Sequence, residues 1–143
     1  AAFPPSDGNP PERDPLFEVW RHLLVTRELK EAYPNLIFVG TGYTYLQDFL
    51  PHVAEYEVAA GHVDFVGLGR MILSYPTLPQ EHLCGIAMQR KQICRTFSDC
   101  TTAPRNGMRS GCYPLDPEYH SRPEAKAVRA LRTGRKNPRG ESV

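Results

Sequence analysis

Phe38-Val39-Gly40-Thr41-Gly42 and Phe65-Val66-Gly67-Leu68-Gly69-Arg70 are near-copies, and corresponding residues lie 27 positions apart. That interval is close to one strand-plus-helix unit when a roughly 250-residue (β/α)8 barrel is divided by eight. Each copy is a β-rich apolar run ending in Gly-x-Gly. The pattern fits a buried parallel strand whose carboxyl end opens into a loop that must approach another group closely. Two such loops on adjacent strands would set their backbone amides side by side, with Arg70 next to them. Unsatisfied N–H groups aimed at a helix N-terminus favour an anion, and phosphate leads among anions. The candidate binding residues are therefore Gly40, Thr41, Gly42, Gly67, Leu68, Gly69 and Arg70. The fork of donors on Arg70 suits a bidentate phosphate contact. The plainer alternatives are that the glycines only permit tight turns and that Arg70 forms a surface ion pair.

Working outward, Asp14-Pro15 reads as an N-cap followed by proline at the first helical position. Phe17, Trp20, Leu23, Leu24 and Leu29 then recur at helical spacing, and Tyr33-Pro34-Asn35 stops the helix. Leu36 to Val39 is the first expected strand, and Leu46 to Ala60 is a helix that Pro51 either kinks or restarts. Gly61 closes that helix and Val63 to Gly67 forms the second strand, giving a βαβ unit with a right-handed crossover. A third helix is expected over Pro79 to Lys91 with Leu83, Ile86 and Ala87 as its apolar stripe. Residues 93–117 carry three cysteines and three prolines and read as a loop region. Residues 118–143 hold seven Lys or Arg against three Glu. In that basic, partly disordered tail, only Ala125 to Arg132 suits a short helix.

A two-stranded parallel sheet leaves its edges unpaired and wants cover on both faces. The fold class read from the sequence is thus α/β: the carboxyl-terminal portion of a (β/α)8 barrel, about its last two βα units. Residues 1–92 form the partial barrel, 93–117 the Cys/Pro-rich loop region and 118–143 the tail. The first residues, Ala1-Ala2-Phe3-Pro4-Pro5, have no initiator Met and no signal-peptide pattern, so a trimmed or incomplete chain is expected.

The 143 residues are 41% hydrophobic and 23% charged with a net charge of +1, which suits one ordinary core and argues against a nucleic-acid or membrane partner. No apolar run approaches the ~20 residues needed to span a bilayer. Four cysteines without export signals read as reduced, buried thiols of a cytoplasmic protein. Cys94, Cys100 and Cys112 match no standard zinc spacing, and the five histidines form no ligand pair, so no metal set is assigned. A dinucleotide fold would need a third glycine where Tyr45 stands, and an acidic residue late in the next strand, whereas Asp64 stands at its start. The absence of Gly-Lys-Ser/Thr excludes a Walker-type loop.

Val63-Asp64-Phe65-Val66-Gly67-Leu68-Gly69-Arg70, followed by Leu73, Pro76 and Leu78, resembles the end of the barrel in the old yellow enzyme family of NADH:flavin oxidoreductases. Ile37 to Gly42 is similar to the family's seventh strand, and Cys94 to Pro117 to the cysteine region of its 2,4-dienoyl-CoA reductase-like branch. The resemblance spans residues 33–117 and implies FMN at the top of a (β/α)8 barrel. The Gly40–Gly42 and Gly67–Arg70 loops would hold its phosphate. It also implies NAD(P)H as reductant and a small-molecule acceptor such as an activated alkene. The family's iron-sulfur branch carries C-x2-C-x3-C-x11-C. Here the first two ligand positions fall on Ile93 and Thr96, which argues against a [4Fe-4S] cluster. The strands that carry the family's catalytic residues have no counterpart in this sequence. No catalytic residue is therefore assigned, and the rest of the barrel is an expected partner. Two other readings remain open: a phosphate-binding barrel of the lyase or isomerase kind, and a cysteine-based metal or electron-transfer module.

Overall fold

The structure, a computed structural model, describes residues 13–133. The expected lead-in over residues 1–12 and the last ten residues of the tail lie outside the described residues. The described residues form two compact units, one ending at Thr96 and the other beginning at Phe97.

The first unit opens with α1 (Pro15–Ala32), started as expected by Asp14, whose carboxylate accepts from the Leu16 amide at 2.8 Å. Its inward face keeps only part of the expected stripe. Val19 is buried and Leu23 packs on the core, while Phe17, Trp20 and Leu29 are exposed. Further along the same face, Arg27 and Lys30 turn inward because two carboxylates wait for them. Arg27 Nε donates to Glu57 at 3.0 Å, and Lys30 Nζ donates to Asp64 at 2.8 Å. The Glu57 hydrogen bond raises the Arg27 guanidinium above its usual value, against the opposing effect of burial.

The strands are β1 (Val39–Gly40) and β2 (Phe65–Val66), paired in parallel with Val39 opposite Phe65 and Gly40 opposite Val66. The parallel βαβ arrangement agrees with the sequence, but both strands are shorter than expected. Side chains have taken the backbone groups a longer ladder would use. Asp64 Oδ2 accepts from the Phe38 amide at 2.7 Å, and Lys30 Nζ donates to the Leu36 carbonyl at 2.9 Å. Asp64, the residue that fails the dinucleotide pattern, is thus a clasp at the amino end of the strand pair.

Between the strands runs a 3-10 segment, Tyr43–Phe49, then α2 (Leu50–Ala59) with Pro51 in its first turn. Pro51 therefore restarts a helix rather than kinking one that begins at Leu46; Gln47 between them has φ 49. After β2 come α3 (Arg70–Ser74) and α4 (Leu78–Leu83). The long helix expected over Pro79 to Lys91 is absent. Gly85 at φ +69 ends α4 with the Ile86 amide bonded to the Glu81 carbonyl at 2.9 Å, a left-handed C-cap. Leu83 and Ile86 of the expected stripe are exposed. The core holds Tyr43, Leu50, Met71, Tyr75, Leu78, Ile93 and Cys94.

Of the expected loop over 93–117, Ile93 and Cys94 belong to that core, and the part from Phe97 onward, in the second unit, contains α5 (Asp99–Arg105), followed by α6 (Pro117–Ser121) and α7 (Glu124–Thr133). The short tail helix is present with nearly the expected bounds. Ala103, Tyr113 and Val128 form this unit's core, and Tyr119 packs edge-on to Tyr113 at 5.5 Å. No disulfide joins any of the four cysteines. Cys94 and Cys112 are buried as expected, whereas Cys84 is exposed. No helix among the described residues is long and apolar enough to cross a membrane.

Candidate functional site

The two glycine turns emerge from the carboxyl ends of hydrogen-bonded parallel strands and lie together. The Gly67 amide donates to the Gly40 carbonyl at 2.7 Å. The turns are tied again further on, where the buried Thr44 hydroxyl accepts from the Met71 amide at 3.4 Å. Met71 itself is fully buried. The site's floor is therefore fixed by core packing and two cross-links, and the adjacency expected from the repeat is present.

The glycines differ in what requires them. At Gly40 a Cβ would stand 2.5 Å from the Tyr43 hydroxyl oxygen, so the missing side chain makes room for a core tyrosine. At Gly67 it would press on the Gly40 carbonyl oxygen at 3.1 Å, so the need there is close approach of the two strands. Gly42 has φ +91, a conformation glycine adopts freely. At Gly69, by contrast, a Cβ would meet none of the described residues within 4 Å. Leu68 packs its side chain on the core and can offer a ligand only its backbone. Arg70 is half-buried and is the first residue of α3.

Thr41 is the hinge of the arrangement. Its Cγ2 methyl would lie 3.6 Å from a Cβ on Gly67, and its hydroxyl sits 3.0 Å from His22 Nε2 on α1. His22 Cδ2 would also lie 3.9 Å from a Cβ on Gly42. The geometry therefore adds His22 and Thr44 to the residues found from the sequence. Neither had a spacing signal, because each acts across 19 or 27 residues. Three other histidines serve elsewhere: His62 and His82 bond to Glu57 and Glu55, and His120 to the Tyr113 carbonyl.

Among the described residues no group of three or more His, Cys, Asp or Glu is placed to hold a metal ion. Cys94 lies in the hydrophobic core, where its amide donates to Met71 Sδ at 3.4 Å. Comparison with protein-family models, curated proteins and solved structures finds no match to this chain.

Proposed function

We propose that this chain supplies the phosphate-binding end of an FMN-dependent (β/α)8 oxidoreductase, in the old yellow enzyme-like class that the sequence resembles. The carrying observation is the side-by-side placement of the two glycine turns at the carboxyl ends of adjacent parallel strands. In (β/α)8 proteins that end of the strands bears the site, often with phosphate held by the loops after strands 7 and 8.

The sheet's two faces support the barrel part of the reading. Gly40 is buried and Val66 packs on the helix-covered core, whereas Val39 and Phe65 on the opposite face are 54% and 59% exposed, with Ile37 at 75%. A parallel sheet is normally covered on both sides. A bare row of Val, Phe and Ile opposite a helical layer is what the inner wall of a barrel would present to further strands.

In this reading the exposed Thr41 hydroxyl, the backbone at Gly69 and the Arg70 side chain at the start of α3 would contribute donors to the terminal phosphoryl group of FMN. When bound, FMN would accept hydride from NAD(P)H and pass it to an activated alkene or similar acceptor. The residues of this chain bind and orient the phosphate end, leaving the reacting ring to groups elsewhere.

Titration of the 15N-labelled chain with FMN and with riboflavin tests the proposal. FMN should shift the amides of Gly40, Gly42, Gly67 and Gly69, riboflavin should not, and Arg70→Ala should weaken the FMN response. Equal responses to both flavins, or none, would overturn the flavin-phosphate reading. Shifts with inorganic phosphate but not FMN would favour a lyase or isomerase barrel acting on another phosphorylated compound.

A further inference from the structure

We propose that His22 is a positioning residue of the anion site, setting the Thr41 hydroxyl as a hydrogen-bond donor to the bound phosphoryl group. The inference rests on the phosphate reading above and assigns the residue that tunes it.

Helix α1 is fixed against the strand pair at its far end, where Lys30 reaches Asp64 and the Leu36 carbonyl. His22 lies eight residues earlier on the same helix, about 12 Å along its axis. The strand advances from Phe38 to Thr41 over three residues, about 10 Å. The helix therefore runs antiparallel to β1, with the Lys30 clasp at the amino end and His22 beside the loop at the carboxyl end. Arg27, between them, holds Glu57 on α2 and removes the remaining freedom to slide.

Thr41 is β-branched and stiff at χ1. Its methyl leans toward Gly67, which turns the hydroxyl toward His22 at 3.0 Å. A hydroxyl has one proton to give. If His22 carries its proton on Nδ1, its bare Nε2 accepts the hydrogen bond of the Thr41 hydroxyl, and only lone pairs face an anion. If the proton is on Nε2, the imidazole donates to Thr41 Oγ1 and the Thr41 O–H is released to donate to phosphate. The bound anion and the Nε2–H tautomer thus favour each other, by the reciprocity of linked equilibria. A histidine that merely packs against the loop would show no such coupling.

The test uses the whole chain with 15N-labelled histidine at about pH 8, where an ordinary imidazole is neutral. The His22→Gln variant assigns the His22 signals. Saturating inorganic phosphate should move the ring nitrogens of His22 toward the Nε2–H tautomer. Loss of one hydrogen bond should make His22→Ala weaken phosphate and FMN binding by about three- to tenfold. His22→Gln, whose side-chain NH2 can donate to Thr41, should restore binding to within about twofold. In a Thr41→Val background His22→Ala should add nothing. If phosphate shifts the Gly40 and Gly67 amides while His22 keeps its tautomer and His22→Ala binds normally, the positioning role is overturned and the phosphate site stands. If neither phosphate nor FMN shifts those amides, both are overturned.

Discussion

Replacing Tyr43 with phenylalanine should stabilise this protein, although Tyr43 is among its most deeply buried side chains. The ring lies in the core of the first unit with no exposure, and its hydroxyl finds no hydrogen-bond partner among the described residues. An unsatisfied buried hydroxyl costs about 1–3 kcal/mol of desolvation. Phenylalanine keeps the ring and removes that cost, less the dispersion attraction of a single oxygen atom. A gain of about 1–2 kcal/mol at neutral pH follows, worth about 4–8 °C in melting temperature per kcal/mol for a unit of this size. Burial, reinforced by the Glu57 carboxylate and opposed by Arg27, pushes the Tyr43 phenol up to about 12. The unfolded phenol ionises near 10, so between pH 10 and 12 the unfolded state binds fewer protons and stability falls as pH rises. Tyr43 alone should contribute about 2–3 kcal/mol of that alkaline loss. Tyr75 and Tyr113, also raised chiefly by burial, retain a residual slope in the variant. Urea denaturation of both proteins from pH 7 to 12 reads both effects. Destabilisation at pH 7, or an unchanged alkaline limb, would refute the account of a stranded hydroxyl.

In the second unit, a Cβ on the buried Gly111 would fall 2.0 Å from the Tyr119 ring, which is held between Tyr113 and Arg122. Gly111→Ala should therefore cost about 1–3 kcal/mol and alter the near-UV circular dichroism of the tyrosine pair; a wild-type melt and spectrum would show that the ring yields freely. On the acid side, Lys30 and then the Phe38 amide hold Asp64 below the usual carboxylate range, while Thr77, Tyr75 and Gln89 do the same for Glu81. Their stabilisation is complete above the unfolded values near 4 and is lost as pH falls through the lower folded ones. Asp64→Asn should flatten the acid limb of a melting-temperature profile measured from pH 7 to 2, and an identical slope in the variant would count against the clasp.

The elements that the sequence made legible are those whose signals are local. Asp14-Pro15 starts α1 as expected, its carboxylate accepting from the Leu16 amide, whereas the same device at Asp116-Pro117 starts α6 in a stretch where the sequence reading expects no helix. Helix ends show how one device can be read at one position and overlooked at another. Gly61, Gly85 and Gly107 all adopt φ near +70, and after each the next amide reaches back five residues, to Glu57, Glu81 and Ala103. Gly61 follows a clear apolar period and reads as a stop. Gly85 sits within Leu83-Cys84-Gly85-Ile86-Ala87, where apolar neighbours suggest continuation. Gly107 closes a seven-residue helix among prolines and cysteines that shows too little period to be noticed. What stayed hidden is what depends on distant partners: the inward turn of Arg27 and Lys30, the shortening of both strands by Asp64, and the His22–Thr41 contact.

The repeated Gly-x-Gly is the most instructive case, because it combines separate physical demands under one pattern. Gly40 is there for Tyr43, Gly67 for the carbonyl of the neighbouring strand and Gly42 for its backbone angle. Those three would be required of a close-packed parallel pair with no ligand at all. A doubled glycine motif thus reports adjacent parallel strands directly, and a ligand only through the side-by-side turns those strands create. Two members of the pattern are not explained by strand packing alone: Gly69, whose Cβ position is open among the described residues, and Thr41, whose methyl and hydroxyl are turned in opposite directions by the two glycine turns and by His22. Packing alone accounts for the methyl of Thr41. Its exposed hydroxyl, aligned by a histidine from a helix clamped at its other end, is what a ligand would need and a turn would not.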